Sequence, residues 1–186
     1  IIMGCPATIA RALTNSCTDV PSAGLELVAY MFDRLSATFT IGASANLVSA
    51  IALSGVVVAY KATAVKREAN AGFDMVTADN IPDMFTHTFS FQPYERSAAA
   101  IKAMDEMDDI VVVVEIKAPK TEGKFVILGF NSGLHRKSAS GRYNDNYGIP
   151  TYEFGTRDGE AEVYSRYVFW NTDYATTKAA LEALLT

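Results

Sequence analysis

The chain has 186 residues, of which 49% are hydrophobic and 20% charged, with a formal net charge of −5. That length suits one domain, or one domain with an arm, with room for a substantial core, and the composition excludes a disordered chain. The acidic balance argues against a surface that grasps nucleic acid, which needs a basic patch, but not against one that DNA must pass without sticking.

Residues 1–23 are poor in charge, rich in Ala, Thr and Ser, and punctuated by Pro6 and Pro21, so they read as an N-terminal arm. Cys5 and Cys17 are too few for a disulfide framework and fit free thiols in a reducing compartment. Gly4-Cys5 behind apolar residues has the look of a lipoprotein cleavage site, but the basic segment and longer apolar core that such a signal needs are not in the sequence. Gly24 to Phe32 reads as a strand with Leu25, Leu27, Ala29 and Met31 on one face, and Ala37 to Ile41 as a short partner.

Ile41 to Tyr60 carries no charge over about twenty residues, the length of a membrane span. Gly42, Ser44, Asn46 and Ser49 moderate its hydropathy, Val56-Val57-Val58 favours strand over helix, and Ser54-Gly55 is a natural turn. The expectation is a hairpin of two strands, Asn46–Leu53 and Val56–Val65, and no contact with a membrane. Lys66 to Asp83 is polar and broken by Gly72 and Pro82, with Phe73, Met75 and Val76 as isolated apolar points. It reads as a long connection or the tip of an extended hairpin, and long connections are usually functional.

Phe85 to Phe91 alternates as a strand with one wet face. A helix is expected over about 95–108, with Ala99, Ile101, Ala103 and Met104 as its buried stripe. Asp105, Glu106, Asp108 and Asp109 cluster at its C-terminal end, where the helix dipole disfavours anions. Ile110 to Ile116 is an unbroken apolar run, as expected of a strand covered on both faces. A Glu122-Gly123-Lys124 turn leads to a strand over Phe125 to Phe130, then to a corner at Asn131–Gly133. From Tyr164 the tail holds the aromatic segment Tyr167-Val168-Phe169-Trp170, a strand or a docking segment. A C-terminal helix over about 173–185, capped by Thr172 or Asp173, presents Ala175, Ala179, Leu181, Leu184 and Leu185, and it docks on its own sheet or on a neighbouring copy.

These elements predict an α+β, mainly β fold: an antiparallel β-sandwich or partly open barrel with one packed helix and a C-terminal helix. Three parts are expected: the arm 1–23, a β-rich domain 24–163 with an extended loop 66–83, and a C-terminal segment 164–186. No metal or cofactor is expected, because His87, His135 and the two cysteines are too scattered for a ligand set, and neither a phosphate loop nor a nucleophile elbow is present. Carboxylates at Asp105–Asp109, Glu153, Asp158, Glu160 and Glu162 could serve hydrolysis only if two faced one cleft, so the chain is expected not to be an enzyme. The loop Tyr143-Asn-Asp-Asn-Tyr147-Gly148 reads either as a turn cluster or as a glycan contact through Tyr143 and Tyr147.

The order of a β-rich half, a strand, a helix and a Val-rich hairpin resembles the tail tube proteins of tailed bacteriophages. The local similarity is strongest over Met104 to Tyr152, in Asp109-Ile-Val-Val-Val-Val-Glu115, Gly123-Lys-Phe-Val-Ile-Leu-Gly129 and Asn131-Ser-Gly-Leu134. The opening Cys5…Ile9-Ala-Arg11…Asn15-Ser-Cys17…Gly24 is similar to the N-termini of that group. The resemblance implies a virion protein that self-assembles into stacked rings, hexameric if a tail tube, around passing double-stranded DNA, in contact with other tail or neck proteins. It implies an inter-ring loop at Lys66, Arg67, Glu68, Phe73 and Met75, and an acidic lumen patch at Asp105, Glu106, Asp108 and Asp109. A subunit-docking segment would lie at Tyr167, Phe169, Trp170, Leu181 and Leu184. The tail beyond Tyr164 departs from the simplest tube pattern and leaves room for a head–tail connector or a capsid-decorating protein. A carbohydrate-binding β-sandwich is the alternative of another class.

Overall fold

The structure, a computed structural model, describes residues 24–63, 69–78, 81–145 and 148–185. The protein is a mainly antiparallel β-sandwich with two helices. The chain runs through β1 (Leu25–Asp33), β2 (Ala37–Ile41), β3 (Leu47–Leu53), β4 (Tyr60–Thr63), β5 (Asn70–Ala78) and β6 (Ile81–Phe91) to α1 (Ala98–Glu106). It continues through β7 (Ile110–Ile116), β8 (Phe125–Leu128), β9 (His135–Ser140), β10 (Thr151–Gly155) and β11 (Tyr167–Phe169) to α2 (Tyr174–Ala183). One sheet has seven strands in the order β2-β3-β11-β8-β7-β1-β4, and the other has four in the order β5-β6-β10-β9.

The Val run explains the layering. In β7, Ile110, Val112 and Val114 point into the core between the sheets, with Met31, Phe89, Phe91, Leu128 and Phe154. Val111 and Val113 point the other way, into a second core with Tyr30, Phe32, Phe125, Ile127, Phe169 and Leu181. Alternate residues of one strand therefore fill two cores, as an unbroken apolar strand must. Burying each valine completely contributes about 1.5–3 kcal/mol. Strand β1 does the same, so Tyr30 and Phe32 are buried opposite Ala29 and Met31, where one apolar face was expected.

The second core is roofed by α2. Asp173 caps it by accepting from the Thr176 N–H at 2.8 Å, and Leu181 is fully buried beneath it. Tyr174 donates to buried Glu115 at 2.8 Å, which also meets Lys124 and Lys178 at 3.5 Å each. The C-terminal helix thus docks on its own sheet. Strand β11 is likewise inserted between β3 and β8, parallel to the former and antiparallel to the latter.

Two expectations need correcting, and one choice between alternatives is resolved. Asn46–Leu53 and Val56–Val65 do not form a hairpin: β3 pairs with β2 and β11, while β4 pairs with β1 across the sheet. Val56 is 99% exposed, because a β-branched run without a partner gains nothing from strand propensity. Of the two readings of Lys66–Asp83, the extended hairpin is the one observed over the described residues: β5 pairs with β6 from Asn70↔Ser90 out to Ala78↔Ile81. Pro82 is tolerated there because it sits at the start of its strand. Finally, α1 forms where expected, with Ser97 as its cap, and Met104 packs against the first core, but no residue of the helix is fully buried and Ile101, 47% exposed, lines the cavity beside Tyr143. Among the described residues, no helix is long and apolar enough to cross a membrane.

Candidate functional site

The four-stranded sheet has one face in the core and one in solvent. Its inward residues include Phe89, Phe91, Tyr152 and Phe154, with stacked rings 5.5–6.1 Å apart. The alternate residues form the outer face, where Asn70, Gly72 and Asp74 lie opposite Ser90, Thr88 and Thr86. Glu153 lies opposite Ser90 and Ser138, and Thr151 opposite Ser140. Small hydroxyl side chains dominate this surface. Lys137 folds over Gly155 and pairs with Asp158 at 2.8 Å, so the carboxylates Asp74, Glu153 and Asp158 outnumber the cation.

Both edges of this sheet, β5 and β9, lack a strand neighbour among the described residues. A strand edge carries a row of backbone donors and acceptors ready to pair with another chain. Beyond Thr88 the β5–β6 hairpin outruns β10, whose last partner is Gly155↔Thr88. Phe73 and Met75, on its inner side with Phe85, are 44% and 59% exposed. The sequence marked these two apolar points, and the structure gathers them on one overhang; Lys66, Arg67 and Glu68 lie outside the described residues.

The acidic cluster after α1 is met by cations. Arg34 forms a forked pair with Asp109 at 2.7 and 2.9 Å. Asp108 accepts from the Arg136 N–H and the His135 ring and lies 3.6 Å from Arg157. Burial pushes the Asp108 carboxyl up, but those hydrogen bonds outweigh it and hold the group below its ordinary range. Glu106 pairs with Lys102 one turn earlier on α1, and Asp105 approaches the Tyr152 hydroxyl at 3.5 Å. Asp109 adopts a positive φ of 51°. Gly133 must be glycine here, since a Cβ would collide with the Asp109 carboxylate.

A buried polar cluster went unforeseen. The Glu162 carboxylate accepts from the Asn131 and Ser132 backbone N–H groups at 2.9 and 3.0 Å, the Asn131 amide at 2.8 Å and the Ser132 hydroxyl at 3.0 Å. Its own backbone forms a two-bond bridge to Phe85. His87 Nδ1 accepts from the Gly129 N–H at 3.1 Å, so Nε2 carries the proton and donates to the Tyr164 carbonyl at 3.1 Å. Burial pushes the His87 imidazole down, against the opposing pull of Glu162. Every proton in this cluster is spoken for inside the chain, so it acts as a strut tying the hairpin base to the end of β8. Nothing in Gly159-Glu160-Ala161-Glu162 distinguishes the buried carboxylate from its exposed neighbour by pattern.

The other sequence candidates divide. Tyr167, Phe169 and Leu181 are buried in the second core, and Trp170 and Leu184 pack against it. Tyr167, Phe169 and Leu181 therefore have no face to offer another subunit, whereas Trp170 and Leu184 stay half-buried. Tyr143 is 94% exposed beside a cavity of about 340 Å³ lined by Glu95, Arg96, Arg142, Pro150 and Tyr152; Tyr147 lies outside the described residues. No model of a protein family, no curated protein and no solved structure matches this chain.

Proposed function

We propose that this chain is a structural protein of a tailed-phage virion that closes into rings, stacked as the tail tube through which DNA passes. The observation that carries this reading is the four-stranded sheet whose two edges have no strand neighbour among the described residues. Its strands alternate in direction along β5-β6-β10-β9. With an even number of alternating strands, β9 of one copy laid against β5 of the next continues the antiparallel pattern without a break. Contact between two different edges is head-to-tail, and such contacts close rings when the rotation allows. The outer face of small hydroxyls with a slight excess of carboxylates suits a channel wall that DNA slides along, since like charges repel.

The test is sedimentation and negative-stain microscopy of the purified full chain. Rings or stacks of rings are expected; a monomer at every concentration and salt would contradict the proposal. Within the virion, a tape-measure-sized reading frame beside the gene favours the tail tube over a head–tail connector or a capsid-decorating protein. A second reading, glycan binding, draws on the cavity beside Tyr143. It predicts binding on a glycan array that is lost in Tyr143→Ala.

A further inference from the structure

We infer that the cavity beside Tyr143 takes a carboxylated sugar, its acid group held by the Arg96 and Arg142 guanidiniums and its apolar face laid on Tyr143. The inference rests on the glycan-binding reading, to whose site it gives a ligand class, and does not depend on ring closure.

Two distant parts of the chain build the cavity. Residues 95, 96 and 101, at the start of α1, supply one wall, and residues 141–143, 148, 150 and 152, between β9 and β10, supply the other. The second wall is drawn into successive turns. The Asp145 N–H donates to the Arg142 carbonyl at 3.0 Å, and the Gly148 N–H donates to the Asp145 carbonyl at 2.8 Å. Gly148 adopts a φ of 71° and lies so close to Tyr143 that a Cβ there would sit 3.4 Å from its ring. Backbone turns therefore hold Arg142 and Tyr143 in place, which lowers the ordering cost of binding. At about 340 Å³ the cavity falls within the size range of small-ligand clefts.

Its lining is chemically divided. Ile101 at 47% exposure, Tyr143 at 94% and Pro150 give apolar surface that the chain leaves uncovered. Arg96 and Arg142 bring positive charge, and among the described residues the one lining carboxylate is Glu95, which accepts from the Ser97 hydroxyl at 2.8 Å. Elsewhere Arg34 and Arg157 face carboxylates, and Arg136 donates to the Met104 and Asp105 carbonyls. No carboxylate among the described residues pairs with Arg142. A guanidinium presents a planar fork that matches a carboxylate, and an aromatic ring offers an apolar face to the C–H side of a sugar. A neutral sugar would leave the two cations without a counter-charge. A bare anion would leave Tyr143 and Ile101 uncovered. A sugar ring bearing a carboxylate answers both walls at once.

Calorimetry and saturation-transfer NMR of the full chain, with short oligomers of glucuronate and of glucose, test this. The glucuronate oligomer should bind about tenfold tighter at low salt, and the gap should close as salt is raised. Arg142→Gln should lose most of that preference and Arg142→Lys should keep part of it. Tyr143→Ala should weaken both sugars, and all three variants should melt with the parent, since both side chains lie in solvent. Equal binding of the two oligomers, or a preference that survives Arg142→Gln intact, would overturn the inference and leave the glycan reading standing. Binding of neither would remove both. Displacement of the glucuronate oligomer by equimolar inorganic phosphate would make this a site for a bare anion, and would also overturn it.

Discussion

The seven-stranded sheet is buried on both faces at its centre, in β7 and β8, and ends in short edges, five residues in β2 and four in β4. The four-stranded sheet is buried on one face and ends in β5, nine residues long, and β9, six residues long. Short edges are a common defence against unwanted pairing, and a long uncharged edge invites it. Within β5, Asp74 is the only charge. The difference separates two tasks in one chain. The large sheet holds the fold together, and the small one has two edges without a strand neighbour among the described residues, the feature on which the ring proposal rests.

Substitutions in the two sheets should therefore fail differently. The largest effect is expected in the large sheet, where Phe169→Ala empties a fully buried site and should cost about 3–5 kcal/mol of stability by denaturant unfolding. Glu162→Gln comes next. It removes a carboxylate facing two backbone N–H groups and a hydroxyl, and should cost about 1–3 kcal/mol, with the β5–β6 hairpin gaining the most in hydrogen exchange.

The pH response should trace to His87. Its folded-state imidazole titrates below the ordinary value of about 6.5, so the unfolded chain binds a proton that the folded chain refuses. Stability therefore rises with pH and is lost as pH falls below about 6.5. His87→Gln should flatten the melting temperature between about pH 7.5 and 5.5 relative to the parent chain. A parallel decline in both proteins would place the proton elsewhere. The smallest effect is expected at the open edge. Asp74→Lys should leave the unfolding free energy within about 0.5 kcal/mol of the parent, yet weaken assembly most at low salt.

Much of this division could be read in the chain. Ala37–Ile41 and Ile110–Ile116 are bounded in the structure as their patterns suggest, because alternation and unbroken apolar runs report local exposure directly. The misplaced hairpin after Asn46 shows the limit. Strand propensity at Val56–Val58 says nothing about a partner, and β3 finds one in β11, a strand more than a hundred residues further on. Glu162 and His87 were illegible for the same reason: their bonding partners lie far off in sequence, in the corner after β8 at Gly129–Ser132 and, for His87, in the β10–β11 connection at Thr156 and Tyr164. The acidic run at Asp105–Asp109 was visible as charge, but Arg34 and Arg157, which meet it, lie far off in sequence. Ile101 reads as a buried helical position, but it is half exposed and lines the cavity beside Tyr143, a neighbour distant in sequence.

Hydrogen–deuterium exchange on the full chain, assembled and diluted, tests the open-edge claim most directly. The account predicts that amides of residues 70–78 and 135–140 slow on assembly, while those of β7 stay equally protected in both states. Equal exchange at both edges in an assembled sample would contradict it, for the copies would then be joined by some other surface.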